Sequence, residues 1–184
     1  LRNWRRIHPF PARMAPEVAL EAVDSVPKGC TVLDPMCGSG TVLREALSHG
    51  HKAIGFDIDP LAVLISRVST QPLDTAQLVE LGNAVATQAA SLDGEALDLP
   101  WIDRDEETRK FTEFWFGPDQ RRTLRSLAWL VLGTHGPLGD ALRLSISKII
   151  VTKGPRASLA RETSHSRPHR VATTSNYDVA QGFR

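Results

Sequence analysis

The sequence has no apolar run near the roughly 20 residues a membrane-spanning helix needs, and its first residues do not form a signal peptide pattern. A cytoplasmic protein is the expectation. Cysteine is scarce: only Cys30 and Cys37 occur. If the residues between them are extended at about 3.3 Å each, the two thiols lie beyond disulfide reach. Two reduced thiols suit a reducing compartment. Internal repeats are lacking, and so is net charge, at +1 from 22 basic and 21 acidic side chains.

What is present is one domain's worth of ordinary globular sequence. In 184 residues, 41% are hydrophobic and 23% charged, enough to bury a sizeable core. The small net charge conceals an uneven distribution. Arg143, Lys148, Lys153, Arg156, Arg161, Arg167 and Arg170 face a single acid, Glu162, within their stretch. Local basic clusters of this kind suit a polyanionic partner better than the total suggests.

The chain is organised around Thr31-Val32-Leu33-Asp34-Pro35-Met36-Cys37-Gly38-Ser39-Gly40-Thr41. A β-branched and aliphatic run ends on a carboxylate, breaks into a glycine-rich turn and passes into Val42-Leu43-Arg44-Glu45-Ala46-Leu47, apolar at helical spacing. This predicts strand, tight loop and helix, closing at Gly50. Lys52 to Asp57 reads as a second strand, and Pro60 starts a helix through about Val68. Strand, helix, strand at this spacing is a parallel βαβ unit. Ahead of it, Pro16 opens a helix to about Asp24, and Pro9 and Pro11 stiffen an arm presenting Trp4, His8 and Phe10.

From Asp74 the pattern turns helical. Asp74 and Gln77 form a capping signal, and Phe111, Phe114 and Trp115 recur at helical spacing. That aromatic group reads as core packing. Gly117-Pro118 breaks the run before a helix bearing Leu124, Leu127, Leu130 and Val131, and a further helix covers about 138 to 150. The expected organisation is a βαβ core over 1–72, a mainly helical segment over 73–151 and a basic, Ser/Thr-rich loop or tail over 152–184. No metal site is expected, because Pro168 interrupts the helix that would bring His165 and His169 together.

Three ligands could own the glycine loop. A phosphate-binding loop needs Gly-Lys-Ser/Thr, and Gly40 is followed by Thr41-Val42. A dinucleotide fingerprint needs a third glycine where Leu43 stands, so that reading is disfavoured. S-adenosylmethionine carries no phosphate and needs only glycines that admit its methionine portion, with Asp34 for the ammonium and Asp57 for the ribose.

Leu33 to Thr41 resembles the cofactor motif of the amino-methyltransferases that modify exocyclic nitrogens of DNA, whose usual form is Asp-Pro-Phe-Cys-Gly-Ser-Gly-Thr. Met36 stands where that form has an aromatic. Gly55-Phe56-Asp57-Ile58-Asp59-Pro60 is similar to the second motif, and His8-Pro9-Phe10-Pro11-Ala12-Arg13 to the segment that closes over the cofactor. The resemblance implies an α/β, Rossmann-like S-adenosylmethionine-dependent methyltransferase fold, here incomplete and with a helical insertion. It implies cofactor contacts from His8, Pro9, Phe10, Asp34, Pro35, Cys37, Gly38, Ser39, Gly40, Thr41, Asp57 and Ile58. It further implies methyl transfer to cytosine N4 or adenine N6 in DNA.

Members hold the acceptor amine with an Asp/Asn/Ser-Pro-Pro-aromatic motif, and no two prolines are adjacent here. The catalytic residues therefore stay unassigned. The expectation is the N-terminal part of a longer enzyme, or one half of a split pair whose second polypeptide carries the catalytic half. Exposed sheet edges and poor solubility would follow. Lys153, Arg156, Arg161, Arg167 and Arg170 are the expected DNA contacts. The alternatives are an RNA methyltransferase acting on tRNA guanine N2 and a non-catalytic remnant that binds cofactor or DNA.

Overall fold

The computed structural model describes residues 7–9, 15–150, 156–161, 169–170 and 172–184. Trp4, Phe10, Lys153 and Arg167 from the expectations above lie outside the described residues. The chain forms two compact units, Leu1–Pro72 and Leu73–Arg184.

The first unit runs α1 (Pro16–Asp24), β1 (Thr31–Asp34), α2 (Thr41–Ser48), β2 (Lys52–Gly55) and α3 (Pro60–Thr70). Proline opens both α1 and α3, where its missing N–H costs no helical hydrogen bond. Asp59 caps α3, its carboxylate accepting the Leu61 N–H at 2.8 Å. Gly50 ends the α2 segment at φ 80°, a left-handed conformation that suits glycine. The strands pair in parallel, Thr31 opposite Lys52 through Asp34 opposite Gly55, as a βαβ unit requires.

The second strand is shorter than expected, ending at Gly55 rather than Asp57. Its backbone bonding nevertheless continues into the turn: the Phe56 N–H donates to the Asp34 carbonyl and the Cys37 N–H to the Phe56 carbonyl, both at 2.9 Å. Because strand side chains alternate, α2 packs over the face carrying half-buried Val32 and Ala53. The opposite face exposes Thr31, Leu33, Lys52 and Ile54. Among the described residues no third strand joins this pair, so the unit is a partial Rossmann-like methyltransferase fold. Ala19, Val23, Leu43, Ala46, Ala62 and Ile65 form its buried interior.

The second unit is helical: α4 (Thr75–Ser91), α5 (Pro100–Asp103), α6 (Glu106–Trp115), α7 (Pro118–Leu132) and α8 (Gly136–Ile150). A two-residue antiparallel pair, β3 (Ala160–Arg161) with β4 (His169–Arg170), and the short α9 (Val179–Phe183) follow. The Asp74 carboxylate caps α4, accepting the Ala76 and Gln77 N–H groups at 3.0 and 3.1 Å. The core joins Val85, Ala86 and Ala89 of α4 to Leu124, Leu127 and Val131 of α7, Leu142 and Ile149 of α8, and Val179 and Phe183 of α9. The end of the stretch read as a loop or tail thus contributes two buried side chains to this core.

Two features of this unit were not legible beforehand. Arg125 of α7, with its side chain only 8% exposed, pairs bidentately with Asp103 at 2.7 and 2.9 Å and donates to the Gly94 and Leu97 carbonyls. One guanidinium therefore ties residues 94–103 to α7. The aromatic group also departs from expectation. Phe116 is buried and Trp115 packs partly against the core, but Phe111 and Phe114 point outward. Trp115 and Phe116 meet the interior at the C-terminal end of α6, just before Gly117-Pro118 starts α7.

Candidate cofactor site

The site is built at the carboxyl ends of β1 and β2. Pro35 and Met36 leave β1, the chain turns through Gly38 (φ 50°) and Gly40 (φ 78°), and α2 begins at Thr41. Gly40 is the N-cap of α2, and its N–H donates back to the Cys37 carbonyl at 2.7 Å.

Two carboxylates hold this turn. Asp34 accepts the Met36 N–H at 3.1 Å. Asp57 accepts the Gly38 N–H at 2.8 Å on one oxygen and the Asp59 N–H at 2.9 Å on the other. These backbone donors, Asp59 first and Gly38 second, hold the Asp57 carboxyl below its ordinary value, so it is ionised at neutral pH. A carboxylate offers about four acceptor sites, more than the backbone donors that Asp34 and Asp57 each receive, which leaves room for a ligand hydroxyl or ammonium.

The glycines divide the work. At Gly40 a Cβ would lie 2.8 Å from the Ser66 Cβ and 3.0 Å from its Cα, so close packing of the loop on α3 requires the residue. At Gly55 a Cβ would meet Leu43 Cδ1 at 2.5 Å and Cys37 Cβ at 3.0 Å. Cys37 Sγ lies 3.7 Å from Ser66 Oγ, and Ser69 Oγ donates to the Ser39 carbonyl at 3.5 Å. This serine-lined contact between loop and α3 was missed in the sequence, although the small residues at 66 and 69 on one helix face were a usable signal.

The structure brings Asp34, Pro35, Cys37, Gly38, Ser39, Gly40, Thr41 and Asp57 together in this one turn region. Cys37, Ser39, Gly40 and Thr41 are buried, Gly38, Asp34 and Asp57 half-buried, and Pro35 exposed. Ile58 follows Asp57 fully exposed, and Met36 is 83% exposed, so two apolar side chains flank the acids in solvent. His8 is buried and Pro9 half-buried. Of the basic residues assigned to DNA, Arg156 and Arg170 are exposed and belong to the second unit, while Arg161 lies in β3. Both cysteines are free thiols.

The arrangement suits a cationic, phosphate-free ligand. A phosphate would require free loop N–H groups, and those of Gly38 and Gly40 are already donated within the protein. Carboxylates beside the loop repel a phosphate and attract the ammonium and sulfonium of S-adenosylmethionine. The Ser39 hydroxyl is buried without a hydrogen-bond partner, an open position that a polar ligand group satisfies. The residues present therefore fit that cofactor.

Among the described residues no helix is long and apolar enough to cross a membrane, and no cluster of His, Cys, Asp and Glu could hold a metal ion.

Known proteins are similar to parts of this chain. The chain is 38% identical over 77 residues to the Type II methyltransferase M.MvaI of Kocuria varians, covering 40% of this chain and 17% of that protein. It is 26% identical over 122 residues to the Type II methyltransferase M.MjaII of Methanocaldococcus jannaschii, covering 64% and 23%. With the Type II methyltransferase M.VspI of a Vibrio species it shares 44% identity over 57 residues, covering 28% and 14%. The matched stretch thus spans less than a quarter of each of these relatives. No solved structure matches. Residues 2–138, most of the chain, match the family described as RMKL-like, methyltransferase domain, and the protein belongs to that family.

Proposed function

We propose that this chain is the S-adenosylmethionine-binding part of a DNA amino-methyltransferase acting on cytosine N4 or adenine N6. The observation that carries the reading is the glycine turn held between Asp34 and Asp57, with the Gly38 and Gly40 N–H groups donated within the protein and two carboxylates beside it. Similarity to three Type II methyltransferases supports DNA as the substrate.

In this reading Asp57 accepts the ribose hydroxyls and Asp34 the methionine ammonium, directly or through water. Ser39 offers its hydroxyl, and Gly38, Gly40 and Thr41 form the floor beneath the methionine portion. Pro35, Cys37 and Ile58 line the remainder with His8, Pro9 and Phe10. When bound, S-adenosylmethionine supplies an electrophilic methyl group on its sulfonium. The protein's contribution is positioning and exclusion of water, since direct transfer to an amine needs no covalent enzyme intermediate. The residues that orient the acceptor amine are not assigned to this chain, which has no Pro-Pro pair.

Arg156, Arg161 and Arg170, with Lys153 and Arg167, are proposed to neutralise DNA phosphates. A gel-shift titration comparing duplex DNA with tRNA tests the substrate class. Tighter binding to DNA, weakening with added salt, is expected. A preference for tRNA would transfer the reading to RNA methylation.

A further inference from the structure

Phe111 and Phe114 stand on α6 at 57% and 48% exposure, outside the core of the second unit. Trp115, itself packed partly against that core, meets Phe114 edge-on with ring centres 4.9 Å apart at 89° and lies 6.2 Å from Phe111. The inner ring thus fixes the outer two. Arg170 completes the cluster: its guanidinium carbon lies 4.8 Å from the centre of the Phe114 ring, and its side chain is exposed.

Arg170 reaches this helix from far along the chain by consecutive backbone links. The Leu159 N–H donates to the Trp115 carbonyl at 2.7 Å, Ser158 bridges to Phe116, and Ala160 pairs with Arg170 across β3 and β4. A planar cation seated over one face of Phe114 and the solvent-exposed Phe111 ring are therefore brought to one helix by main-chain links. These are the two kinds of group on which unstacked bases lie.

We infer that this cluster of Phe111, Phe114 and Arg170 takes an unstacked base of a DNA strand, an inference that rests on the DNA-directed reading above. The base lies on the Phe111 ring and on the outer side of the guanidinium that Phe114 supports, and the Arg170 charge serves the adjoining phosphate. Charge sets the direction of approach. Lys110 is spent on Glu106 in an i,i+4 pair, and Glu107 also lies toward the N-terminal end of α6, whereas exposed Arg170 stands in β4 and exposed Arg156 just before β3. Glu113 bounds the cluster on the helix itself. The strand therefore enters from β4, away from the first turns of α6. A protein partner would use the same rings as apolar bulk, and a change that keeps bulk but removes the ring separates the two.

Fluorescence anisotropy on the intact chain tests this, using a fully paired duplex, the same duplex with one unpaired base, and a single strand. The unpaired-base and single-stranded forms are expected to bind more tightly than the paired duplex. Phe111→Leu with Phe114→Leu is expected to cost these two forms about tenfold, while the control Trp129→Leu costs neither. Arg170→Ala is expected to lower the salt dependence by roughly one counterion. If wild type binds DNA and the double leucine variant binds every form equally well, the cluster is not a base platform, and the DNA reading survives. If wild type binds no DNA form, both fall. A 2-aminopurine reporter at the unpaired base needs no variant: quenching on binding to wild type is expected, and unchanged emission overturns the inference.

Discussion

Gly38 donates its backbone N–H to the Asp57 carboxylate at 2.8 Å, joining the glycine turn to the residue that ends the second strand's extension 19 positions later. Asp57 is therefore a structural anchor of the loop before any ligand arrives. Asp57→Ala should release the turn even without cofactor. Amide hydrogen exchange at Gly38 and Met36 is expected to rise about tenfold or more, while amides of α4 and α7 keep their protection. Unchanged exchange at Gly38 would remove the anchoring role.

Gly40→Ala places a Cβ where φ is 78° and where Ser66 Cβ would be 2.8 Å away. Strain and overlap act together, so a loss of about 2 kcal/mol or more in the stability of the first unit is expected from chemical denaturation. Adding Ser66→Gly relieves the overlap and should recover part of the loss. No recovery would mean that the backbone conformation alone sets the cost.

The Arg125–Asp103 pair gives the second unit an acid limb. The hydrogen bond from Arg125 is the main cause holding the Asp103 carboxyl below its ordinary 3.8. Its contribution is complete above that value, where the unfolded carboxyl is also ionised, and is lost as pH falls through the lower folded value. Arg125→Met should destabilise by about 2 kcal/mol at pH 7, a figure reduced because Asp103 keeps 32% of its side chain exposed. The gap to wild type should narrow as pH falls below that ordinary value toward the lower folded one. Parallel stability curves down to pH 2 would contradict this.

Leu33 and Ile54, opposite one another in the parallel pair, are 59% and 47% exposed on the uncovered sheet face. Adjacent exposed apolar strand residues, in a pair that no third strand joins among the described residues, favour self-association. Sedimentation velocity should show concentration-dependent association of the wild-type chain. Leu33→Thr with Ile54→Thr should shift it toward monomer without lowering the melting temperature by more than a few degrees. A wild type that stays monomeric at all concentrations would refute the idea.

Much of the first unit was legible because local signals there agree. Pro16 and Pro60 open helices, Gly50 closes one, and Thr31 to Asp34 and Lys52 to Gly55 are β-prone runs on either side of a helical period. The acids at 34 and 57 were legible as ligand groups but not as holders of the turn, since that depends on a hydrogen bond across 19 residues. Packing of Gly40 on Ser66 is likewise a tertiary fact. In the second unit, periodicity could place Phe111 and Phe114 on one helix without revealing which way that helix faces. Arg125 gave no local signal, because its four acceptor atoms lie 22 to 31 residues away.

Calorimetric titration of S-adenosylmethionine into the intact chain measures whether the acid-flanked glycine turn holds a sulfonium cofactor. Saturable one-to-one binding is expected, weakened about tenfold or more by Asp57→Asn and unaffected by Arg170→Ala, with no heat from a nicotinamide dinucleotide. Absence of binding by the wild-type chain, or binding of the dinucleotide in its place, would contradict the account.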